Sequence, residues 1–172
     1  LTKSKILKMK KIILLLFVST LLISCDNNKN TVDNSDPMSG VIVGNDEKSE
    51  AMLQFTQAYQ DNNIATVKSL FTEDVVFNVN DAKLTFDEVD AAFSSGHDFF
   101  NDIKHSEYDI ATMYYNSGEV FTNYWYTWTA TSKKTGDVLS LKGYCWFKWQ
   151  GDKVVEVYNA FDPTVYNATI SN

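Results

Sequence analysis

Apolar side chains recur along the chain with two different periods, and the change of period separates helices from strands. From residue 49 to 71, apolar positions lie three or four residues apart, which is typical of amphipathic helices. Asp61-Asn62-Asn63 interrupts this pattern. We therefore predict one helix that Ser49 caps and a second, shorter helix that Asn63 caps. A third apolar stripe of the same period predicts a helix over about 86–103.

After residue 103 the period falls to two, which is the alternation of a half-buried β-strand. Residues 73–79 predict an earlier strand before the third helix. Turn sequences that contain Gly divide the later part into four strands, since Gly adopts hairpin conformations without steric cost. These strands are predicted at about 104–115, 119–131, 138–149 and 154–161. The sequence thus predicts an α+β domain that ends in an antiparallel meander.

The first 25 residues follow a third pattern. Five lysines within residues 1–11 precede an apolar run from Ile12 to Ile23, which is shorter than the roughly 20 residues that a membrane-spanning helix needs. A positive start followed by a short apolar run is typical of an export signal. The run ends at Leu22-Ile23-Ser24-Cys25, which resembles the lipobox of bacterial lipoproteins. The resemblance implies that residues 1–24 are removed and that lipid on Cys25 anchors the chain to a membrane of the cell envelope.

The segment after Cys25 changes abruptly to Asn, Asp, Ser, Gly and Pro, which argues against the alternative of an uncleaved anchor helix. We predict that residues 25–46 form a lipidated, flexible tether, in which only Val41-Ile42-Val43 offers apolar surface to the domain. We expect one domain at 47–163, which is long enough for a single core. A C-terminal tail at 164–172 completes the predicted organisation.

Charge and cysteine content narrow the possible partners. All 22 acidic residues follow Cys25, whereas only ten of the 15 lysines do, so removal of the signal changes the formal net charge from −7 to −12. Nucleic acid is excluded as a partner, because its binding depends on basic side chains that neutralise phosphates.

Cys145 is the one remaining cysteine and is expected to fill the core. No His or Cys cluster has the spacing of a metal site, so we expect no metal and no cofactor.

The order of the predicted elements resembles the nuclear transport factor 2-like superfamily and, within it, the SnoaL-like group. The resemblance rests on the helix pair at Ala51–Phe71, on Leu70-Phe71-Thr72-Glu73-Asp74-Val75-Val76-Phe77, and on the ending from Gly151-Asp152-Lys153-Val154-Val155-Glu156 to Phe161-Asp162. It implies a cone-shaped, cystatin-like α+β roll, in which a curved antiparallel sheet wraps around about three N-terminal helices and encloses a pocket. The superfamily includes isomerases, cyclases, dehydratases and transport adaptors, so the resemblance implies no particular reaction.

Alternation assigns the strand residues to an inward face, toward the helices, and an outer face. The more apolar set, which includes Asn123, Trp125 and Asn159, is assigned inward. Aromatic residues on three neighbouring strands are assigned to the outer face, where they form a patch too large to leave in water. Many members of the resembled superfamily dimerise through this side, so we expect a homodimer unless the tether or tail covers the patch. The patch is predicted to contain Tyr124, Tyr126, Trp128, Tyr144, Trp146 and Tyr158.

Five polar or aromatic residues are candidates for lining the pocket: Tyr59, His97, Asn123, Trp125 and Asn159. In a ligand pocket, His97 would be the titrating group, and the two amides and Trp125 would orient an apolar ligand. The alternative is an internal hydrogen-bond network, since buried polar groups need partners. Both interpretations place these side chains inside the cone.

We therefore expect an envelope-anchored module that binds a small, largely apolar ligand. The alternatives are a small acid–base enzyme of the isomerase, cyclase or dehydratase type, and a structural or protein-binding module. Enzymatic activity is the less favoured, because no carboxylate falls inward: Glu156 is on the outer face and Asp98 is one residue off its helix stripe. Asp162 ends the last strand, where it could either act at the mouth of the pocket or cap a turn. His105 is expected to be solvated, and no residue is assigned a catalytic role.

Overall fold

The computed structural model describes residues 35–171. The predicted export signal, the lipidated Cys25 and the first part of the predicted tether lie outside the described residues. They therefore stay predictions. Within 35–171, no helix is both long and apolar enough to cross a membrane.

In residues 35–171, four helical segments pack with one seven-stranded sheet. They are α1 (Glu47–Gln60), a 3₁₀ helix (Ile64–Leu70), α2 (Phe86–Phe99) and α3 (Thr164–Ser171). The strands are β1 (Gly40–Val43), β2 (Phe71–Val79), β3 (Ala82–Leu84), β4 (Phe100–Tyr115), β5 (Val120–Ser132), β6 (Val138–Gln150) and β7 (Lys153–Phe161). The spatial order is β1-β4-β5-β6-β7-β2-β3, and all neighbours are antiparallel except β2 and β7. The predicted α+β fold with a curved sheet is confirmed. The sheet is open, and the pairing of β2 with β7 is parallel, whereas we expected an antiparallel sheet.

The N-terminus of α1 is fixed to the sheet by Asp46, and not by Ser49 as predicted. The Asp46 side chain accepts the backbone N–H of Ser49 at 2.8 Å, which makes Asp46 the N-cap, and it also accepts the Thr112 hydroxyl at 2.9 Å. Burial opposes ionisation of Asp46, but these hydrogen bonds and one from Tyr114 outweigh it and lower its pKa to about 2. Ser49 is unsuited to the cap because it is buried inside the helix, where its hydroxyl lies 3.1 Å from that of Thr112.

Helix α2 begins at a capping box and ends earlier than predicted. The Thr85 hydroxyl accepts the backbone N–H of Glu88, and the Glu88 side chain accepts the backbone N–H of Thr85. The chain leaves the helix after Phe99, and Phe100 is already extended and opens β4. We predicted that the helix continues to residue 103. The prediction was wrong because Phe100 and Ile103 have a spacing that also fits a helical stripe. In the structure both residues belong to β4, and their side chains are buried there.

Both ends of the predicted domain are longer than expected. Gly40–Val43, which we assigned to the tether, forms β1 and pairs with residues 112–115 of β4. An extended, β-branched segment next to an open sheet edge satisfies its backbone hydrogen bonds by adding a strand. The predicted tail contains α3, whose Tyr166 packs on Phe100 with ring centroids 5.1 Å apart.

The inward and outer faces of β5 are the reverse of those predicted. The register pairs Tyr124 with Cys145 and Trp128 with Leu141, and these residues point together toward the helices. Asn123, opposite Trp146, consequently belongs to the outer face. The faces of β6, and of β7 from Glu156 onward, agree with the prediction. At the start of β7 we assigned Val155 inward, but Val154 is in the core instead, because the pairing of β6 with β7 shifts between Lys148 and Trp149. Alternation fixes which residues of β5 share a face, but both sets contain aromatics, so apolar character did not reveal which set is inward.

Candidate functional site

A cavity of about 110 Å³ lies between the helices and the inward face of the sheet. Nine of its 18 lining residues are Phe, Tyr or Trp, and none is Asp, Glu or Lys. The lining residues are Met52, Phe55, Thr56, Tyr59, Phe77, Val79, Ala92, Phe93, His105, Tyr124, Tyr126, Trp128, Leu141, Cys145, Val157, Asn159, Phe161 and Tyr166. The cavity is therefore aromatic, with a few polar groups and no carboxylate or ammonium group in its wall.

Tyr59 places a hydroxyl in this wall and is held from two sides. The indole N–H of Trp128 donates to the Tyr59 hydroxyl oxygen at 2.8 Å. The Tyr59 ring packs edge-on against Phe93, with centroids 5.2 Å apart. Burial raises the pKa of Tyr59, so the hydroxyl keeps its proton. Because the hydroxyl oxygen accepts from Trp128 and no hydrogen bond in residues 35–171 uses its proton, Tyr59 can donate to a ligand.

His105 is buried in the cavity wall, and not solvated as we expected. Its ring stacks on Tyr126, with centroids 4.3 Å apart and planes 9° apart, and its Nδ1 lies 3.1 Å from the Tyr124 hydroxyl. Burial lowers the pKa of His105 to about 4. The imidazole is consequently uncharged at neutral pH, with one nitrogen as a hydrogen-bond donor and the other as an acceptor.

Tyr126 lies flat because residue 143 on the neighbouring strand has no side chain. A Cβ atom on Gly143 would come within 2.2 Å of the Tyr126 ring. The ring fills that space between Gly143 and the imidazole of His105, and its hydroxyl donates to the side-chain oxygen of Asn159 at 2.7 Å. Gly143 thereby orients two polar groups of the cavity, a function that we did not infer from the sequence.

Of the five predicted pocket residues, the structure brings Tyr59 and Asn159 to the cavity. His97 is not among the lining residues, and its Nε2 is 2.9 Å from the backbone oxygen of Tyr59. Asn123 and Trp125 are on the outer face, because the orientation of β5 is reversed. Asn123 accepts the Tyr144 hydroxyl there, and its buried side-chain nitrogen has no partner among the described residues.

The acidic residues that we considered for catalysis are not in the cavity wall. Glu156 is on the outer face, as predicted, and accepts from the Asn78 side chain at 2.9 Å. Asp162 caps a turn by accepting the backbone N–H of Thr164 at 2.9 Å. Cys145 does line the cavity, but burial raises the pKa of its thiol, which therefore stays protonated. In the part of the chain that the structure describes, no His, Cys, Asp and Glu side chains are grouped closely enough to hold a metal ion.

A family model described as a SnoaL-like domain matches residues 52–157. Solved structures with a similar fold include AclR, a proposed hydroxylase from Streptomyces galilaeus (16% identity, TM-score 0.55, covering 73% of this chain and 96% of AclR). An NTF2-like protein from Burkholderia pseudomallei K96243 is also similar (16% identity, TM-score 0.53, coverage 74% and 100%). So is a proposed SnoaL-like polyketide cyclase from Jannaschia sp. CCS1 (12% identity, TM-score 0.53, coverage 71% and 90%). These identities establish a common fold only, and no curated protein matches the sequence.

Proposed function

The chain belongs to the SnoaL-like domain family, and we propose that its cavity binds a small, uncharged, largely aromatic molecule. The observation that carries this proposal is the composition of the wall, which is half aromatic and has no charged side chain at neutral pH. A charged ligand would lose its hydration there without gaining an ion pair. An aromatic ligand would pack against the rings that already line the cavity.

The polar groups of the wall define a hydrogen-bonding pattern for this ligand. Tyr59 offers a donor, since Trp128 already occupies its oxygen. On the strand side, neutral His105 and Tyr124 carry one N–H and one O–H, and the imidazole tautomer decides which of the two residues donates to the other, so the pair can adapt to a ligand donor or acceptor. A molecule with one carbonyl or ether oxygen would satisfy the Tyr59 donor, which explains why a largely apolar wall contains a hydroxyl.

We expect acetophenone, a neutral aryl ketone, to bind the purified protein at least tenfold more tightly than benzoate, which has a similar shape but a negative charge. Titration followed by tryptophan fluorescence or calorimetry measures both. Tyr59→Phe should weaken acetophenone binding about threefold to tenfold through loss of one neutral hydrogen bond, and leave ethylbenzene, which has no acceptor, unchanged. Tyr158→Phe on the outer face is the matched control. Equal binding of benzoate and acetophenone would contradict the proposal.

An acid–base enzyme is the second candidate, and His105 is the residue on which it would depend. The ring is in the cavity wall and contacts Tyr124, so a proton could pass between them. However, the lowered pKa of about 4 makes His105 a weak proton acceptor, and the wall offers no carboxylate in its place. Ligand binding without catalysis therefore has the stronger support.

We also propose that the protein is anchored to the bacterial cell envelope through lipid on Cys25. The support is the order of positive, apolar and lipobox-like segments in residues 1–25. Several acyl chains at one site provide stable attachment without a spanning helix. Strand β1 begins at Gly40, so the tether between the lipid and the folded domain ends before that residue.

A homodimer through the outer face remains our proposal for assembly, with a corrected set of residues. Tyr124, Tyr126 and Trp128 point inward and leave the patch. Outward rings replace them, and several touch one another across strands, as in Phe121–Trp146 at 5.4 Å. A self-complementary contact would cover these rings. The outer aromatic patch consists of Phe121, Trp125, Tyr144, Trp146 and Tyr158.

Trp125→Glu should convert the dimer to a monomer, because Trp125 is 42% exposed within this patch and a buried, unpaired carboxylate is costly. Light scattering at micromolar concentration measures the change in mass. Val138→Glu, at a position that is 72% exposed and outside the patch, is the control and should stay dimeric. A wild-type protein that is monomeric at this concentration would refute the proposal.

A further inference from the structure

Helix α3 lies beyond the residues that the family model matches, yet it contributes a side chain to the cavity wall. Tyr166 is that side chain. Its ring packs against Phe100, with centroids 5.1 Å apart, and edge-on against Trp128, with centroids 5.9 Å apart. Because Trp128 also donates to the hydroxyl of Tyr59, Tyr166 lies next to the pair that we expect to hold the ligand.

Helix α2 has a gap where the hydroxyl of Tyr166 fits. A Cβ atom on Gly96 would lie only 3.0 Å from that hydroxyl oxygen. Gly is unfavourable inside a helix by about 1 kcal/mol relative to Ala, so its presence near the end of α2 has a cost. Close approach of Tyr166 accounts for that cost, and it makes Gly96 part of the same arrangement.

The rest of α3 is only lightly attached to the domain. None of its residues is fully buried, and Tyr166 and Ile170 are its hydrophobic residues that pack against the inward cluster around Phe100 and Trp128. The position of the helix therefore depends largely on the Tyr166 ring. The space that this ring occupies adjoins the cavity, so without the ring the cavity would extend toward Phe100.

We propose that Tyr166 determines the specificity of the cavity by forming its end wall and limiting the length of the ligand. This inference rests on the proposed binding function. With the ring in place, the cavity of about 110 Å³ is of the order of the roughly 150 Å³ in which a single benzene ring binds. A molecule with two fused rings would have to displace Tyr166 and, with it, α3.

The test compares two neutral ketones that have the same hydrogen-bond acceptor and differ in length. The purified wild-type protein should bind acetophenone more tightly than 2-acetylnaphthalene. Tyr166→Ala should strengthen binding of the longer ketone about tenfold, because the second ring enters the vacated space, and change acetophenone affinity less than threefold. Tyr166→Phe keeps the ring and should retain the wild-type preference. Val165→Ala, on the same helix at a position that is 52% exposed, is the control.

Gly96→Ala provides a second test that leaves Tyr166 in place. The added methyl group would lie 3.0 Å from the Tyr166 hydroxyl oxygen and displace it by a few tenths of an ångström, so this variant should shift the preference toward the longer ketone by a smaller factor than Tyr166→Ala does. It replaces the first variant if circular dichroism shows that Tyr166→Ala does not fold. If both ketones bind but neither variant shifts the preference, the inference about Tyr166 is overturned while the proposed function stands. If the wild-type protein and all folded variants bind neither ketone, the proposed function fails and the inference with it.

Discussion

Replacing Phe100 with Ala should lower the free energy of unfolding by about 3–5 kcal/mol, because it leaves a cavity in a buried cluster. Phe100 is 1% exposed and packs edge-on against Trp128, with centroids 5.5 Å apart. The neighbouring residue supplies a matched control, since Phe99 is the last residue of α2 and is 43% exposed. Phe99→Ala should cost about 1 kcal/mol or less. Urea denaturation monitored by circular dichroism measures both differences.

The pair also tests the different burial of the two rings. In the structure the two phenylalanines differ because the first ends a helix on its exposed side and the second begins a strand on its buried face. The two destabilisations should therefore differ by at least 2 kcal/mol, with unchanged dependence on urea concentration. Equal losses would mean that both rings share one environment, which is incompatible with the burial of Phe100 and the exposure of Phe99.

The sequence predicted the strands well because alternation extends over many residues. Strands β5, β6 and β7 begin and end within a residue or so of the predicted limits, and each boundary except the end of β7 coincides with a hairpin turn. The Gly residues of these turns have positive φ, for example 78° at Gly136, which other residues rarely adopt. The turn sequences and the alternation of apolar residues therefore indicate the same strand boundaries, which is why those boundaries were predicted well.

The direction in which a strand faces could not be predicted with the same success. In β5, Tyr124 and Trp125 are adjacent aromatics, so both faces contain large rings. What places Tyr124 inward is its pairing with Cys145, which depends on how β5 and β6 are aligned around residues 133–137. That alignment is a contact between strands and has no local signal in either strand. Because the inward face of β5 is the opposite of the predicted one, Asn123 and Trp125 lie outside the cavity and Tyr126 lines it.

His105 was missed for a related reason. It follows Lys104 and precedes charged residues, which is the pattern of a solvated strand end. In the structure, irregularities in the pairing of β4 with β5 lie on both sides of His105, between Asn101 and Lys104 and between His105 and Glu107. Such bulges change which side chains face inward, and here His105 lies opposite Trp128 in the register, on the inward face of the sheet. For Tyr59 the prediction was correct, because the apolar stripe of a regular helix shows which of its residues face the core.

Replacing Cys25 with Ser should abolish incorporation of fatty acid and leave the full precursor uncleaved. A lipobox cysteine is modified through its thiol, and in the resembled lipoproteins the signal is removed only before a cysteine that carries lipid. Serine keeps the size of the side chain but lacks the thiolate chemistry. Metabolic labelling with a radioactive fatty acid, combined with the mobility of the chain on a gel, measures both steps.

The chain offers a matched control, because it contains two cysteines and the second is Cys145. Cys145 is buried in the cavity wall, where burial raises the pKa of its thiol. Cys145→Ser should therefore leave labelling and cleavage unchanged, even if it lowers stability by placing a hydroxyl among apolar neighbours. Labelling that survives Cys25→Ser, or that disappears in Cys145→Ser, would contradict the proposed anchor. In either case the aromatic cavity and its ligand would remain testable, since the wall residues named above all lie between Met52 and Tyr166.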